Sequence, residues 1–393
     1  MRFKDMRMKI VRIVVDGMPL YVQKLDINFY AKQKVYAEHL DSLHKLFNRI
    51  YVNNVEAFVG INASGKTRAL ELIAFVADLL SGYSLNGVYS DNVSITHLVS
   101  KTQPTVFDID FFADQKIFHL KSEMICNCAD DGSETIQIIS EKLWEKSVTS
   151  RLNKHNFLDY VQLKPIRTRD NSAEYLQADV SIMIAVDKQI KERMYCIDRT
   201  AYTNFNFLIP QVAHLPEEII TLLDPSIEYL NVEEIGNRKL IRLKFSGEAE
   251  KTLLRVSELN AYLSSGTIKG MRIFLDAERV LKKGGYLIID EVENHFNREL
   301  VVSLIHLFTS KLTNPYGAVI IFSTHYAELL DEIERNDAVF ITRHKNGLTV
   351  DSLNDLIKRN DMKKSEVYQG NFLGGTAPKY AALHALEKRL SQP

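Results

Sequence analysis

The chain opens with a nearly continuous apolar run, Ile10, Val11, Ile13, Val14 and Val15, then after Asp16-Gly17 an alternating one, Leu20, Val22, Leu25 and Ile27. Two strand-like runs around a glycine turn predict an opening hairpin or meander. Residues 31 to 50 are more polar and predict a helical insertion. Val55-Glu56-Ala57-Phe58-Val59 then reads as a short buried strand, and Ala69, Leu72, Ile73, Val76 and Leu80 recur at helical spacing as far as Gly82. Alternation returns from Thr105 to Leu120 around the polar turn Ala113-Asp114-Gln115-Lys116, which predicts a second β layer. From about 140 to 220 the pattern is mixed and predicts a mostly helical inserted region. Ile227 to Phe245 predicts a hairpin turning at Gly236-Asn237, and from Ser257 onward strands at 286–290, 318–323 and 337–343 alternate with helices.

Between the strand at 55–59 and its helix lies Gly60-Ile61-Asn62-Ala63-Ser64-Gly65-Lys66-Thr67, a complete GxxxxGKT loop. Glycines allow successive backbone N–H groups to wrap a phosphate, and the positive helix end adds to the attraction. The expected binding residues are therefore Gly60, Asn62, Ala63, Ser64, Gly65, Lys66 and Thr67. Lys66 would reach the β- and γ-phosphates of a nucleoside triphosphate, and the Thr67 hydroxyl would bind Mg²⁺. Downstream, Tyr286-Leu287-Ile288-Ile289 is an apolar run ending in Asp290-Glu291. A buried parallel strand there would deliver Asp290 to the Mg²⁺ shell and Glu291 beside the γ-phosphate, where it can orient or deprotonate water.

Composition changes this picture little. Hydrophobic residues make up 46% and charged residues 25%, as expected of a folded chain that is not disordered. Lys plus Arg number 49 and Asp plus Glu 50, so a formal charge of −1 offers no global attraction to nucleic acid, and DNA contact would need a local basic face. Two basic clusters, Lys164, Arg167 and Arg169, and Lys358, Arg359, Lys363 and Lys364, read as solvated faces. Cys126, Cys128 and Cys196 make neither an even disulfide framework nor a zinc set, and read as reduced cysteines of a cytoplasmic protein. No apolar run reaches the ~18 residues a membrane span needs. Asp108-Ile109-Asp110 has DxD spacing but lies inside an alternating β segment.

The order of the motifs is more specific than any one of them. Leu263-Ser264-Ser265-Gly266-Thr267 precedes the strand at 286 and opens a helix, and Phe322-Ser323-Thr324-His325 ends a later strand. Loop, LSSGT, hydrophobic-Asp-Glu and a final histidine, in that order, resemble the ABC-type ATPases. The resemblance implies that Ser264 and Gly266 grip the γ-phosphate of ATP held by another subunit, and that His325 senses that phosphate. It implies as well that Glu293-Asn294-His295-Phe296-Asn297 forms the segment crossing the dimer interface, with Asn297 where an aspartate is usual. The lid glutamine of the family has no placed counterpart; Gln103, Gln115, Gln137 and Gln162 are the candidates.

The long span from Lys66 to Leu263 and Thr267 in place of a glutamine argue against a transporter subunit. The layout resembles the soluble SMC/RecF-like branch, and within it small bacterial ATPases of phage-defence systems. The expected fold is thus α/β, a P-loop NTPase of ABC type with a mixed sheet, an added antiparallel β layer and a mostly helical insertion. Its expected divisions are a nucleotide-binding lobe at 1–135, the insertion at 136–250, a signature and switch-histidine lobe at 251–350, and a tail at 351–393. The expected activity is ATP hydrolysis with Mg²⁺ by a head-to-tail homodimer or higher assembly that controls a separate effector, a nuclease or toxin, without a membrane. The alternative is a DNA-binding repair ATPase of the same branch.

Overall fold

The computed structural model describes residues 7–87, 95–169, 176–201, 215–235, 238–294, 297–344, 347–357, 362–376 and 380–391. Strands β1 (Lys9–Asp16) and β2 (Leu25–Asn28) pair antiparallel, as the opening pattern predicts. β3 (Leu43–Phe47) and β4 (Ile50–Asn53) form a second small hairpin where a helix is expected, preceded only by a 3-10 turn at Ala37–Leu40. The pairing shifts register between Lys45 and Phe47, so that adjacent Leu46 and Phe47 are both buried. A bulge of this kind erases the period-two signature.

β5 (Val55–Val59) leads into α1 (Lys66–Leu80). β6 (Thr105–Ala113), β7 (Lys116–Cys128), β8 (Glu134–Ser147) and β9 (Arg167–Thr168) follow, and with β1 and β2 they make a six-stranded antiparallel layer ordered β2-β1-β6-β7-β8-β9.

Residues 136–250 are not mostly helical. They hold most of β8, the five-residue α2 (Met183–Asp187), β10 (Cys196–Arg199), the seven-residue α3 (Glu217–Leu223), β11 (Ile227–Ile235) and β12 (Arg238–Phe245). One reason the pattern misleads is Glu141, fully buried at a core position of β8, where it accepts from Ser181 Oγ at 2.7 Å and from the Ile182 N–H at 2.9 Å. The 227–245 hairpin forms with β13 (Lys251–Leu253) as third strand, while its expected turn at Gly236-Asn237 lies outside the described residues.

The remaining elements are α4 (Ser265–Lys283), β14 (Tyr286–Ile289), α5 (Arg298–Thr309), β15 (Val319–Thr324), β16 (Val339–His344), β17 (Leu348–Ser352), α6 (Leu353–Leu356), α7 (Lys364–Gln369) and α8 (Tyr380–Leu390). The central sheet runs β10-β14-β15-β5-β16-β17, parallel except for β17. Residues along β5 split between its faces, Phe58 joining one apolar cluster with α1 and the antiparallel layer, Val55, Ala57 and Val59 joining another with α4 and α5. α1 is therefore sandwiched between two sheets, which explains why 11 of its 15 residues are buried and why Phe75 reaches Phe107 of the outer layer at 5.3 Å. Burying one such phenylalanine contributes on the order of 2–3 kcal/mol. A third cluster joins β11–β13 to the first turns of α4.

Lys9 couples the outer layer to the central one. Fully buried, it donates to the carbonyls of Gly284 and Gly317 at 2.6 and 2.5 Å, at the turns that follow α4 and precede β15. Burial pushes its pKa down to about 7.

Candidate functional site

Parallel strands carry their functional residues at their carboxyl ends, and here three neighbours, β14, β15 and β5, bring Asp290-Glu291, His325 and the glycine loop to one edge. The loop is held by β16, the fourth neighbour. Ser64 Oγ lies 2.6 Å from Thr342 Oγ1, which in turn donates to the Val59 carbonyl at 3.3 Å. Gly60 sits against this pair. A Cβ there would fall 2.1 Å from Thr342 Oγ1 and 2.3 Å from Ser64 Oγ, so only glycine fits. Gly65 takes φ 98°, a left-handed conformation, as α1 begins.

α1 starts without a side-chain cap, whereas Ser264 caps α4 by accepting from Thr267 N–H at 3.0 Å and Asn297 caps α5 by accepting from Leu300 N–H at 2.9 Å. The N-terminal amides of α1 are thus left for an external acceptor. They face a cavity of about 440 Å³ bounded by Asn62, Ala63, Gly65, Lys66, Thr67 and, across from them, Glu291.

Lys66 Nζ donates to the Gly60 and Ile61 carbonyls at 2.9 and 3.2 Å and meets His325 Nδ1 at 3.2 Å. Burial lowers its pKa, against the opposing pull of Asp290 and Glu291. An ammonium has no lone pair, so His325 Nδ1 is the acceptor and the ring proton sits on Nε2. Nε2 then donates to Glu291 Oε1 at 3.0 Å. That hydrogen bond holds the Glu291 carboxyl below its ordinary range. The second oxygen, Oε2, accepts from the Asn294 amide, and Glu291 itself has φ 48°, a left-handed backbone a β-carbon resists. His325 is held in turn through its backbone N–H, which donates to buried Glu293.

Thr67 Oγ1 donates to Asp290 Oδ2 at 2.7 Å, and Ser323 Oγ donates to Asp290 Oδ1 while accepting from the Glu291 N–H at 2.7 Å. A hydroxyl and a carboxylate in contact beside an anion cradle are a hard-oxygen donor pair suited to Mg²⁺, which takes few protein ligands and completes its shell with water and phosphate. The residues present fit that ion. Among the described residues no group of three or more His, Cys, Asp or Glu is arranged as an all-protein metal site. The DxD pair is engaged otherwise: Asp108 and Asp110 flank His119 at 3.5 and 2.9 Å and, against the cost of burial, push its pKa up to about 9.

The expected residues do not all meet. Ser264 and Gly266 lie at the start of α4 and line no part of the loop cavity of their own chain, and none of Gln103, Gln115, Gln137 or Gln162 lines it either. In the expected interface segment Asn297 is the α5 cap, and His295 and Phe296 lie outside the described residues. Arg169 is occupied by Glu141 and by backbone carbonyls, and Lys358 and Arg359 lie outside the described residues.

Several contributors carried no sequence signal. Leu20, Arg68 and Leu348 complete the cavity wall, and Tyr21 OH donates to the Gly65 carbonyl at 3.1 Å. Asp198, at the end of β10, accepts from Thr200 N–H at 2.8 Å; burial raises its pKa, and Asp290 adds to the rise. Among the described residues no helix is long and apolar enough to cross a membrane.

With this geometry in view, comparison with known proteins adds a family. Residues 134–331, just over half of the chain, match the model of a family described as AAA domain, putative AbiEii toxin, Type IV TA system. The chain belongs to that AAA family. The matched stretch takes in the LSSGT segment, Asp290-Glu291 and His325, while the glycine loop lies outside it. No curated protein matches the chain. Family and sheet together make this AAA domain a nucleotide-binding protein of P-loop ATPase type, with a mixed sheet flanked by helices.

Proposed function

We propose that this chain hydrolyses ATP in a head-to-tail dimer of ABC type and that the nucleotide-closed dimer controls a separate effector. The observation that carries the reading is the chain of contacts Lys66, His325, Glu291, which joins the expected phosphate-binding cation to the expected base through the expected switch histidine.

In that reading the uncapped α1 amides and Lys66 bind the β- and γ-phosphates, with Lys66 giving up its loop carbonyls for phosphate oxygens of higher charge. Thr67 and Asp290 are the residues that would hold Mg²⁺, which when bound would neutralise phosphate charge. Ser323 orients Asp290 from behind. Glu291, kept ionised by its hydrogen bond to His325, accepts a proton from the attacking water, and Asn294 limits its rotation. The left-handed turn at Glu291 aims the carboxylate across the cavity toward the loop.

The opposite wall would come from a second copy. Ser264 is exposed at the start of the long helix α4, and its hydroxyl lies 2.8 Å from Thr267 Oγ1, from which it can turn to a phosphate oxygen. Because ATP would then touch both subunits, binding favours association and hydrolysis weakens it. The family's description links the matched domain itself to a toxin and a Type IV TA system, which is the support for an effector of toxin kind, and antiviral defence is the setting we propose. The test is the light-scattering mass of Glu291→Gln with and without ATP and Mg²⁺. A doubled mass only with nucleotide is expected; an unchanged mass would overturn the dimer.

A further inference from the structure

A second groove, of about 930 Å³, shares no lining residue with the loop cavity. Its walls are residues 34–37 and Leu40, the tip of the β3–β4 hairpin with Tyr51, and residues of the loop 150–155, while exposed Glu38 lies in the first segment outside the lining. These walls are braced against one another. The Asn48 amide donates to the Thr149 and Leu152 carbonyls at 2.9 and 3.0 Å, and Lys154 Nζ donates to the Lys32 and Gln33 carbonyls at 3.3 and 2.9 Å. Behind the hairpin, Phe47 and Phe157 belong to one buried cluster with Phe112 of the outer layer. A groove fixed in this way needs little ordering when it is filled.

Its chemistry is one-sided. The floor is apolar and aromatic, with Tyr36, Leu40, Tyr51 and Leu152, and the ionisable groups around it are Lys34, Arg49, Lys154 and His155, with no carboxylate among the lining residues. Among the described residues neither Lys34 nor Arg49 pairs with a carboxylate, and Lys34 Nζ lies 5.0 Å over the Tyr36 ring. In a chain with 49 basic and 50 acidic residues, such a groove is a local segregation of charge that composition hides.

We propose that this groove docks an acidic, amphipathic segment of a partner protein, its aliphatic or aromatic side chains on the Tyr36–Leu40–Leu152 floor and its carboxylates against Lys34 and Arg49. Two observations favour a peptide over a nucleic acid. The floor contains aliphatic side chains, whereas nucleic-acid grooves are polar and track a phosphate backbone. The chain that forms one wall also runs on into Val161, Leu163 and Ile166, exposed by 92%, 38% and 48%, which adds apolar side chains beside the groove in sequence. The partner would be the effector of the proposed function, and only that clause rests on the nucleotide reading.

The test is fluorescence anisotropy of the full chain with a labelled peptide of about 14 residues that sets glutamates around a Leu/Phe face, beside its lysine-for-glutamate analogue and an oligothymidylate of similar length. The acidic peptide should bind, the lysine analogue should bind about tenfold more weakly or worse, and Arg49→Glu and Lys34→Glu should each weaken the acidic peptide by about tenfold. Both side chains are exposed, so these variants should keep wild-type ATP affinity, and Tyr36→Ala tests the floor without changing charge. Lys66→Ala should leave peptide binding intact, so the groove and the nucleotide site fail separately. Absence of acidic-peptide binding, indifference to both charge reversals, or preference for the oligothymidylate would each overturn the proposal, the last in favour of nucleic acid.

Discussion

Replacing Lys66 with alanine separates what this lysine does for the fold from what it does for a nucleotide. Its side chain is only 6% exposed, and its ammonium is held by two loop carbonyls and His325. Truncation removes those hydrogen bonds, each contributing about 1.5–3 kcal/mol at most, but also removes a charge that burial disfavours, as its lowered pKa records. Lys66 itself lines the open cavity, so water can enter the space its side chain vacates and reach the carbonyls left behind. The net loss of stability should therefore be near 1 kcal/mol, a fall in Tm of about 2–4 °C or less for a chain of this size.

Binding loses far more. An ammonium about 4 Å from a phosphate charge, at an effective dielectric constant near 20, contributes about 4 kcal/mol. Affinity for ATP should fall by about a thousandfold. Calorimetric titration with ATP and thermal unfolding of the same preparation measure both quantities. A dissociation constant within twofold of wild type would refute the loop assignment. Loss of binding together with a fall in Tm well beyond ~10 °C would instead make the lysine a structural residue.

Four further outcomes are expected. Glu291→Gln should retain ATP binding while slowing phosphate release in a steady-state assay by about 10²–10⁴-fold, and an unchanged rate would remove Glu291 as the base. Gly60→Ala drives a Cβ into Ser64 and Thr342, so urea unfolding should show a loss of about 1–3 kcal/mol and ATP titration a loss of affinity; tolerance of the change would mean the loop is not held by β16. Ser264→Ala removes the α4 cap and should cost about 1 kcal/mol in the same urea experiment. Lys9 holds its proton up to its ordinary 10.5 when unfolded but only to about 7 when folded, so the unfolded chain binds the extra proton between those values and stability should rise with pH by up to about 1.4 kcal/mol per unit. Lys9→Met should flatten that rise, and an identical pH slope in both proteins would show that Lys9 does not titrate there.

How much of this was legible in the sequence varied with how completely local residues determine local shape. Strand β5, the loop and α1 were legible because glycine at 60 and 65, lysine at 66 and the apolar spacing of α1 are all demanded by the structure they form. The β3–β4 hairpin was not, because a register shift at Lys45–Phe47 breaks the alternation that marks a strand. Strand β10, Cys196–Arg199, was invisible for another reason: it lies at the sheet edge with all four residues only partly buried, so it lacks the apolar run that reveals β14 and β15. At the site, Asp290, Glu291 and His325 follow apolar strands and could be picked out. Leu20, Tyr21 and Leu348 could not, since they reach the loop only through the packing of the outer layer against the central sheet.

That last contact changes the meaning of the outer layer. Between β1 and β2 the chain leaves the layer, Tyr21 bridges to Leu348 of the central sheet, the Leu348 N–H donates to the Leu20 carbonyl at 2.9 Å, and Tyr21 OH holds the carbonyl of Gly65. A loop that shifts when phosphate enters must either break the Tyr21 contact or carry residues 20–22 with it. Residues 20–22 connect the ends of β1 and β2, whose strands pair directly with one another and, through β1, with β6. The other end of β1 is fixed by Lys9 to the turns after α4 and before β15. β1 is thus linked through Tyr21 to the phosphate loop at one end and through Lys9 to the C-terminal turn of α4 at the other, which makes the outer layer part of the support of the loop.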